Sequence, residues 1–230
     1  MEEKKMNYNE LVQEAENKIS NKEYELAAQM FHDIAAQTGD IYCTKKALDL
    51  YMLLAEADLG LMDSGLGMSM IEYAVKDINT AYRFITGCML NHNIMNEIGE
   101  HVKAKHADCL FMIGKIKFLQ EDPECLDYFK EASSYGKNMA NMLAGVWYDK
   151  QVSRMLKEED PDTDLLIEMS KSAIQSFETF IEKYNPSEAE SDEFETANLL
   201  VSFYYEVGLG TEVDKQHAAE HKQKAGHLNK

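Results

Sequence analysis

The sequence predicts an all-α protein, an α-solenoid of about five antiparallel helix pairs, and three observations carry that prediction. Composition is the first. Val occurs only 8 times in 230 residues beside 12 Gly and 3 Pro, while Glu, Lys, Ala, Leu and Met, which lose little freedom in a helix, dominate. Second, apolar residues recur at three- and four-residue spacing between a few sharp turn signals. Third, a small residue followed four positions later by a large apolar one returns at a near-constant interval. The instances are Ala27–Phe31, Ala74–Ile78, Cys125–Phe129 and Ala173–Phe177, then Ala218, with the small sites 47, 51, 48 and 45 residues apart. A small side chain lets a partner helix approach, and the large one a turn later fills the space beside it. A lone pair cannot bury both of its apolar faces, so it stacks on the next.

Taken in order, the spacing predicts helices near 6–20, 22–37, 41–62, 68–89, 95–119, 122–135, 138–157, 161–184, 187–207 and 213–226. Leu11, Ala15, Lys18 and Ile19 mark the first face; Tyr24, Ala27, Ala28, Phe31 and Ile34 mark the second. Three prolines punctuate the rest, as Asp122-Pro123, Asp160-Pro161 and Asn185-Pro186, each with an acidic residue soon after. Asp or Asn accepts the orphan N–H bonds of a first turn, Pro loses no bond at the next position, and acids complement the helix dipole. Helices are therefore expected to begin near 122, 160 and 185. Short connections make sequential helices antiparallel neighbours. With no polar linker in view, one helical-repeat domain over residues 1–230 is expected.

The charge is −18, from 41 acidic and 23 basic side chains, and residues 157–196 alone hold 13 acids against 3 Lys. Such a field repels nucleic acid and anionic membranes. It fits solvated helix faces, or a docking surface for a basic partner. The charged N-terminal stretch lacks the apolar core of roughly 7–15 residues that a signal peptide needs. Apolar runs such as 109–113 fall far short of the roughly 20 residues that span a bilayer. Cys43, Cys88, Cys109 and Cys125 form no CxxC pair. Reduced thiols in a cytoplasmic protein are the expectation.

Tyr24-x-x-Ala27-x-x-x-Phe31 resembles the second-helix signature of a tetratricopeptide repeat, and Ala173-x-x-x-Phe177 with Pro186 beyond resembles it again. The stretch from Phe129 through Gly136, Ala140 and Gly145 to Tyr148 is similar to a Sel-one-like repeat. So is the stretch from Ala197 through Tyr205, Gly208, Gly210 and Asp214 to Ala218. The resemblance implies that the paired glycines form the turn between helices and that the aspartate starts the second helix. Gly65-Leu66-Gly67 looks like a degenerate copy of that turn. It also implies a groove lined by first helices that holds a peptide or partner helix. Carried over through the matched Ala, Gly and Tyr positions, the groove residues are Met139, Met142, Val146 and Asp149 in one pair, and Leu199, Phe203 and Glu206 in the last.

Chemistry-bearing motifs are sparse. His217-x3-His221 puts two imidazoles on one helical face, as a zinc site needs, and His101 with His106 forms a second candidate. Neither carries the Glu of an HExxH motif, one such spacing is weak evidence, and no metal ligand is expected. Cys109 and His106 are the nearest approach to a thiol–imidazole pair, with nothing to lower the thiol pKa. No GxSxG, phosphate-binding loop or dinucleotide fingerprint occurs. The expectation is a non-enzymatic scaffold without cofactor that binds a protein or peptide of basic character. A metal-dependent enzyme or regulator using the histidines, and a homo-oligomer pairing through the groove or an end cap, are the alternatives.

Overall fold

The structure, a computed structural model, describes residues 7–63, 69–185 and 191–226. The Gly65–Gly67 turn and Pro186 lie outside these residues. The described residues form ten helices and no strand: α1 Tyr8–Ser20, α2 Tyr24–Thr38, α3 Ile41–Asp63, α4 Ser69–Met89, α5 His92–Leu119, α6 Cys125–Ser134, α7 Met139–Met155, α8 Thr163–Glu182, α9 Ser191–Val207 and α10 Lys215–Gly226. Each matches an expected helix to within a few residues. No helix among them is long and apolar enough to cross a membrane. The chain gathers into two compact units, Met1–Ile116 and Lys117–Lys230.

In the first unit α1 packs on α2, α2 on α3 and α3 on α4. Its core joins Phe31, Leu48, Met52, Ile78, Ile85 and Val102, each buried to within 1% of full exclusion. The Asn7 side chain accepts from Glu10 N at 3.0 Å while the Glu10 carboxylate accepts from Asn7 N at 3.1 Å, so two orphan donors of α1 are satisfied reciprocally. Asp40 starts α3 by accepting from Cys43 N at 2.7 Å. α5 begins earlier than expected because the Asn91 side chain accepts from Asn93 and Ile94 N–H groups. A kink at Ile98 (φ −134°, ψ 26°) then separates that first stretch from the rest of α5.

In the second unit α6 packs on α7, α7 on α8, α8 on α9 and α9 on α10. Phe177, Phe180, Val201 and Tyr204 are fully buried; truncating a Phe at such a site to Ala costs about 3–5 kcal/mol. Two helix starts lie beyond the prolines expected to mark them. Asp122 accepts from Glu124 N at 3.0 Å and shapes the turn before α6, which runs only from Cys125. The cap of α8 is Asp162 rather than Asp160: its Oδ1 accepts from Leu165 N at 3.0 Å. In both cases the proline sits ahead of the first helical residue, where its fixed φ fits the incoming turn as well as the helix.

The nine small and large sites of the sequence period, Ala27, Phe31, Ala74, Ile78, Cys125, Phe129, Ala173, Phe177 and Ala218, are all buried. They lie on α2, α4, α6, α8 and α10. The period thus marks core contacts on alternate helices.

Candidate functional site

Two small-residue devices set the helices of the second unit. A Cβ on Gly145 would stand 2.6 Å from the Phe177 ring, so α7 and α8 approach to a distance only glycine permits. Gly208 and Gly210 have φ of +74° and +73°, and a Cβ on Gly210 would stand 2.5 Å from Ser170 Cβ and 2.8 Å from Lys171 N. The turn after α9 is therefore pressed against α8. Asp214 then accepts from the N–H groups of Gln216 and His217 and starts α10.

On this frame the expected groove residues separate. Met142 is 4% exposed and belongs to the core of the unit, so it offers no binding surface. The correction has a plain cause: α7 is close to α8 at Gly145, and the apolar side chains around that crossing turn inward. Met139 and Val146 are half-buried against the same core. Asp149 is half-buried and accepts from Tyr204 Oη at 2.8 Å. Burial and, secondarily, the Asp149 carboxylate push the Tyr204 hydroxyl far above its ordinary pKa.

Leu199 and Phe203 are 48% and 49% exposed. Glu206 is exposed and pairs with Lys222 of α10 at 2.7 Å. Sequence reasoning missed Val207, 50% exposed, which continues Leu199 and Phe203 at four-residue steps on one face of α9. The signal was present in the spacing. It was masked because Leu200, Val201 and Tyr204 offer an equally apolar face, and that one is turned inward.

The histidine pairs behave differently from each other. His101 approaches Asp49 at 2.9 Å, while His106 is buried and stacked on Tyr82 with ring centroids 5.7 Å apart, so the two imidazoles serve separate contacts. Cys109 beside them donates to Ile78 O at 3.6 Å, and burial pushes its thiol up to about 12, which leaves no thiolate for nucleophilic attack near neutral pH. His217 and His221 instead gain a third partner from α8: ligand atoms of Glu178, His217 and His221 lie within 4.8 Å of one another. A cleft of about 600 Å³ in the first unit is lined by His32, Thr44, Arg83, Phe84, Cys88 and Ile94 among others.

No family model matches the chain, and no curated protein matches it in sequence.

Proposed function

We propose that the chain is a non-enzymatic scaffold of the stacked-helix-pair kind, and that the outward face of α9 docks a peptide segment with apolar anchors and basic flanks. One observation carries the reading: Leu199, Phe203 and Val207, each about half exposed, stand in a row on a helix whose opposite face is packed in the core. Helical residues four apart share a face, which suits the anchors of a partner helix or extended segment. Exposed apolar patches of this kind, rimmed by charge, mark interaction sites.

The charge of the chain supports a basic partner. Glu206 stands beside the apolar row on α9, and residues 157–196 carry a net −10 of the total −18. Basic flanks on the partner would be steered by that field, while the apolar anchors supply the short-range affinity. Selection from a random peptide library against the full-length chain tests this directly. Selected sequences should combine Leu, Ile or Phe anchors with Lys or Arg. Substituting Phe203→Ala should weaken them by about 1–3 kcal/mol. Peptides without basic residues, or binding untouched by Phe203→Ala, would remove the reading. Recovery of the chain's own copies in light scattering would favour the homo-oligomer in its place.

A further inference from the structure

The second unit carries a cluster that the docking reading does not use. Glu178 projects from α8, and His217 and His221 from one face of α10. Glu178 Oε1 lies 3.7 Å from His217 Nε2, and the two imidazole rings meet edge-on with centroids 4.8 Å apart. The turn that presses Gly210 onto Ser170 and Lys171 is what brings the start of α10 to α8.

Hydrogen bonds orient His221 and Glu178, while ring packing and two carboxylates at 3.7 Å place His217. Asn198 is fully buried, and its amide nitrogen donates to Phe194 O at 2.8 Å, so its carbonyl oxygen is the atom that faces His221. That Oδ1 lies 2.8 Å from His221 Nδ1. An amide oxygen can only accept, so Nδ1 carries the hydrogen and Nε2 keeps its lone pair. Tyr205 Oη donates to Glu178 Oε1 at 3.0 Å, and its ring packs edge-on against His217 with centroids 4.4 Å apart. On the far side of His217, Nδ1 lies 3.7 Å from Glu220 Oε2 while Nε2 faces Glu178. Ligand imidazoles and carboxylates held by such outer partners are the arrangement that metal sites use to fix tautomer and direction.

We infer that Glu178, His217 and His221 form a binding site for a divalent transition-metal ion of the zinc class, with water completing the coordination. Two imidazoles and one carboxylate are the borderline donor set that zinc takes with three protein ligands. Tetrahedral bond lengths place ligand atoms roughly 3.3 Å apart, so the Glu178–His217 pair at 3.7 Å is almost closed. The remaining separation, at most 4.8 Å, closes through side-chain rotation of Glu178 and His217, whose side chains are 32% and 36% exposed. His221 is 3% exposed and supplies the fixed point. The bound ion would tether α10 to α8.

The test uses the full-length chain without a histidine tag, stripped with chelator and titrated with zinc, then with cobalt as a spectroscopic substitute. One equivalent should bind, and the cobalt form should show visible absorption of an imidazole–carboxylate site. His217→Ala and Glu178→Gln should each weaken binding by roughly 10-fold or more, and Tyr205→Phe by a smaller factor. His92→Ala, on a different helix, should leave binding unchanged. Circular dichroism of the metal-free His217→Ala chain checks that it folds, which its partly exposed position favours. Failure of the wild-type chain to bind one equivalent at micromolar metal would overturn the site, as would binding that survives both His217→Ala and Glu178→Gln. Neither result bears on the α9 face, which contains none of these ligands.

Discussion

Tyr204 Oη donates to Asp149 Oδ1 at 2.8 Å, linking α9 to α7 through a phenol that has no exposure to solvent. Asp149 thus meets the buried face of α9 through Tyr204, with its carboxylate drawn toward the core. Removing the hydroxyl in Tyr204→Phe leaves a half-buried carboxylate without this partner, and the expected cost is about 1–2 kcal/mol. Asp149→Ala strands the buried hydroxyl instead and should cost a similar amount. Urea unfolding of both single variants and the double variant should show a total smaller than the two costs added, because the same bond is lost once. Full additivity would mean the contact contributes nothing.

The same phenol sets an alkaline limit. Burial raises Tyr51 and Tyr205 to about 12 and lifts Tyr204 further. The unfolded chain releases these protons near pH ~10. Below that value both states are protonated and the tyrosines' contribution is intact; above it the unfolded state is favoured progressively. The tyrosines' share of the stability should therefore hold up to about pH 10 and then fall. It adds to an earlier decline from pH ~9, as the four buried thiols, also raised by burial, begin to ionise in the unfolded chain. Tyr204→Phe should reduce the steepness of that fall by about 1.4 kcal/mol per pH unit, one proton's worth. An unchanged slope would place Tyr204 in contact with water.

The glycines divide by what surrounds them. Gly145→Ala forces a methyl to 2.6 Å from the Phe177 ring and should cost about 1–3 kcal/mol. Gly210→Ala adds left-handed strain to a backbone clash and should cost more. A methyl at Gly87 in α4 would meet no atom within 4 Å, so Gly87→Ala should stabilise by about 0.5–1 kcal/mol. Thermal unfolding midpoints should rank Gly87→Ala highest, Gly145→Ala below it and Gly210→Ala lowest.

All four thiols are buried, and burial raises Cys43, Cys88 and Cys125 to about 11 and Cys109 to about 12. A disulfide reagent at pH ~8 should therefore modify the folded chain at least roughly 100-fold more slowly than the denatured chain. Rapid labelling of Cys109 in the folded protein would revive a thiol–imidazole pair with His106.

The helices were legible because their signals are local: periodic apolar faces and Asp or Asn beside a first turn. The cap of α8 was misplaced by two residues because Asp160 and Asp162 both satisfy the local rule, and only the path of the chain through Pro161 selects the second. Among the docking residues, Leu199 and Met142 are both apolar helical side chains, yet one is 48% exposed and the other 4%. That difference arises from the close crossing at Gly145, a contact between distant segments that periodicity cannot express. The histidine pair of α10 was readable from its four-residue spacing. Its third partner was not, since Glu178 reaches it only through the turn at Gly208 and Gly210.

The docking claim is tested most directly by methyl NMR of the full-length chain during titration with a library-selected basic peptide. The methyl signals of Leu199 and Val207 should shift in proportion to occupancy, Phe203→Ala should move the titration to roughly 5- to 150-fold higher peptide concentration, and Leu156, equally exposed at 52%, should not respond. Saturable binding that leaves Leu199 and Val207 unmoved would contradict it.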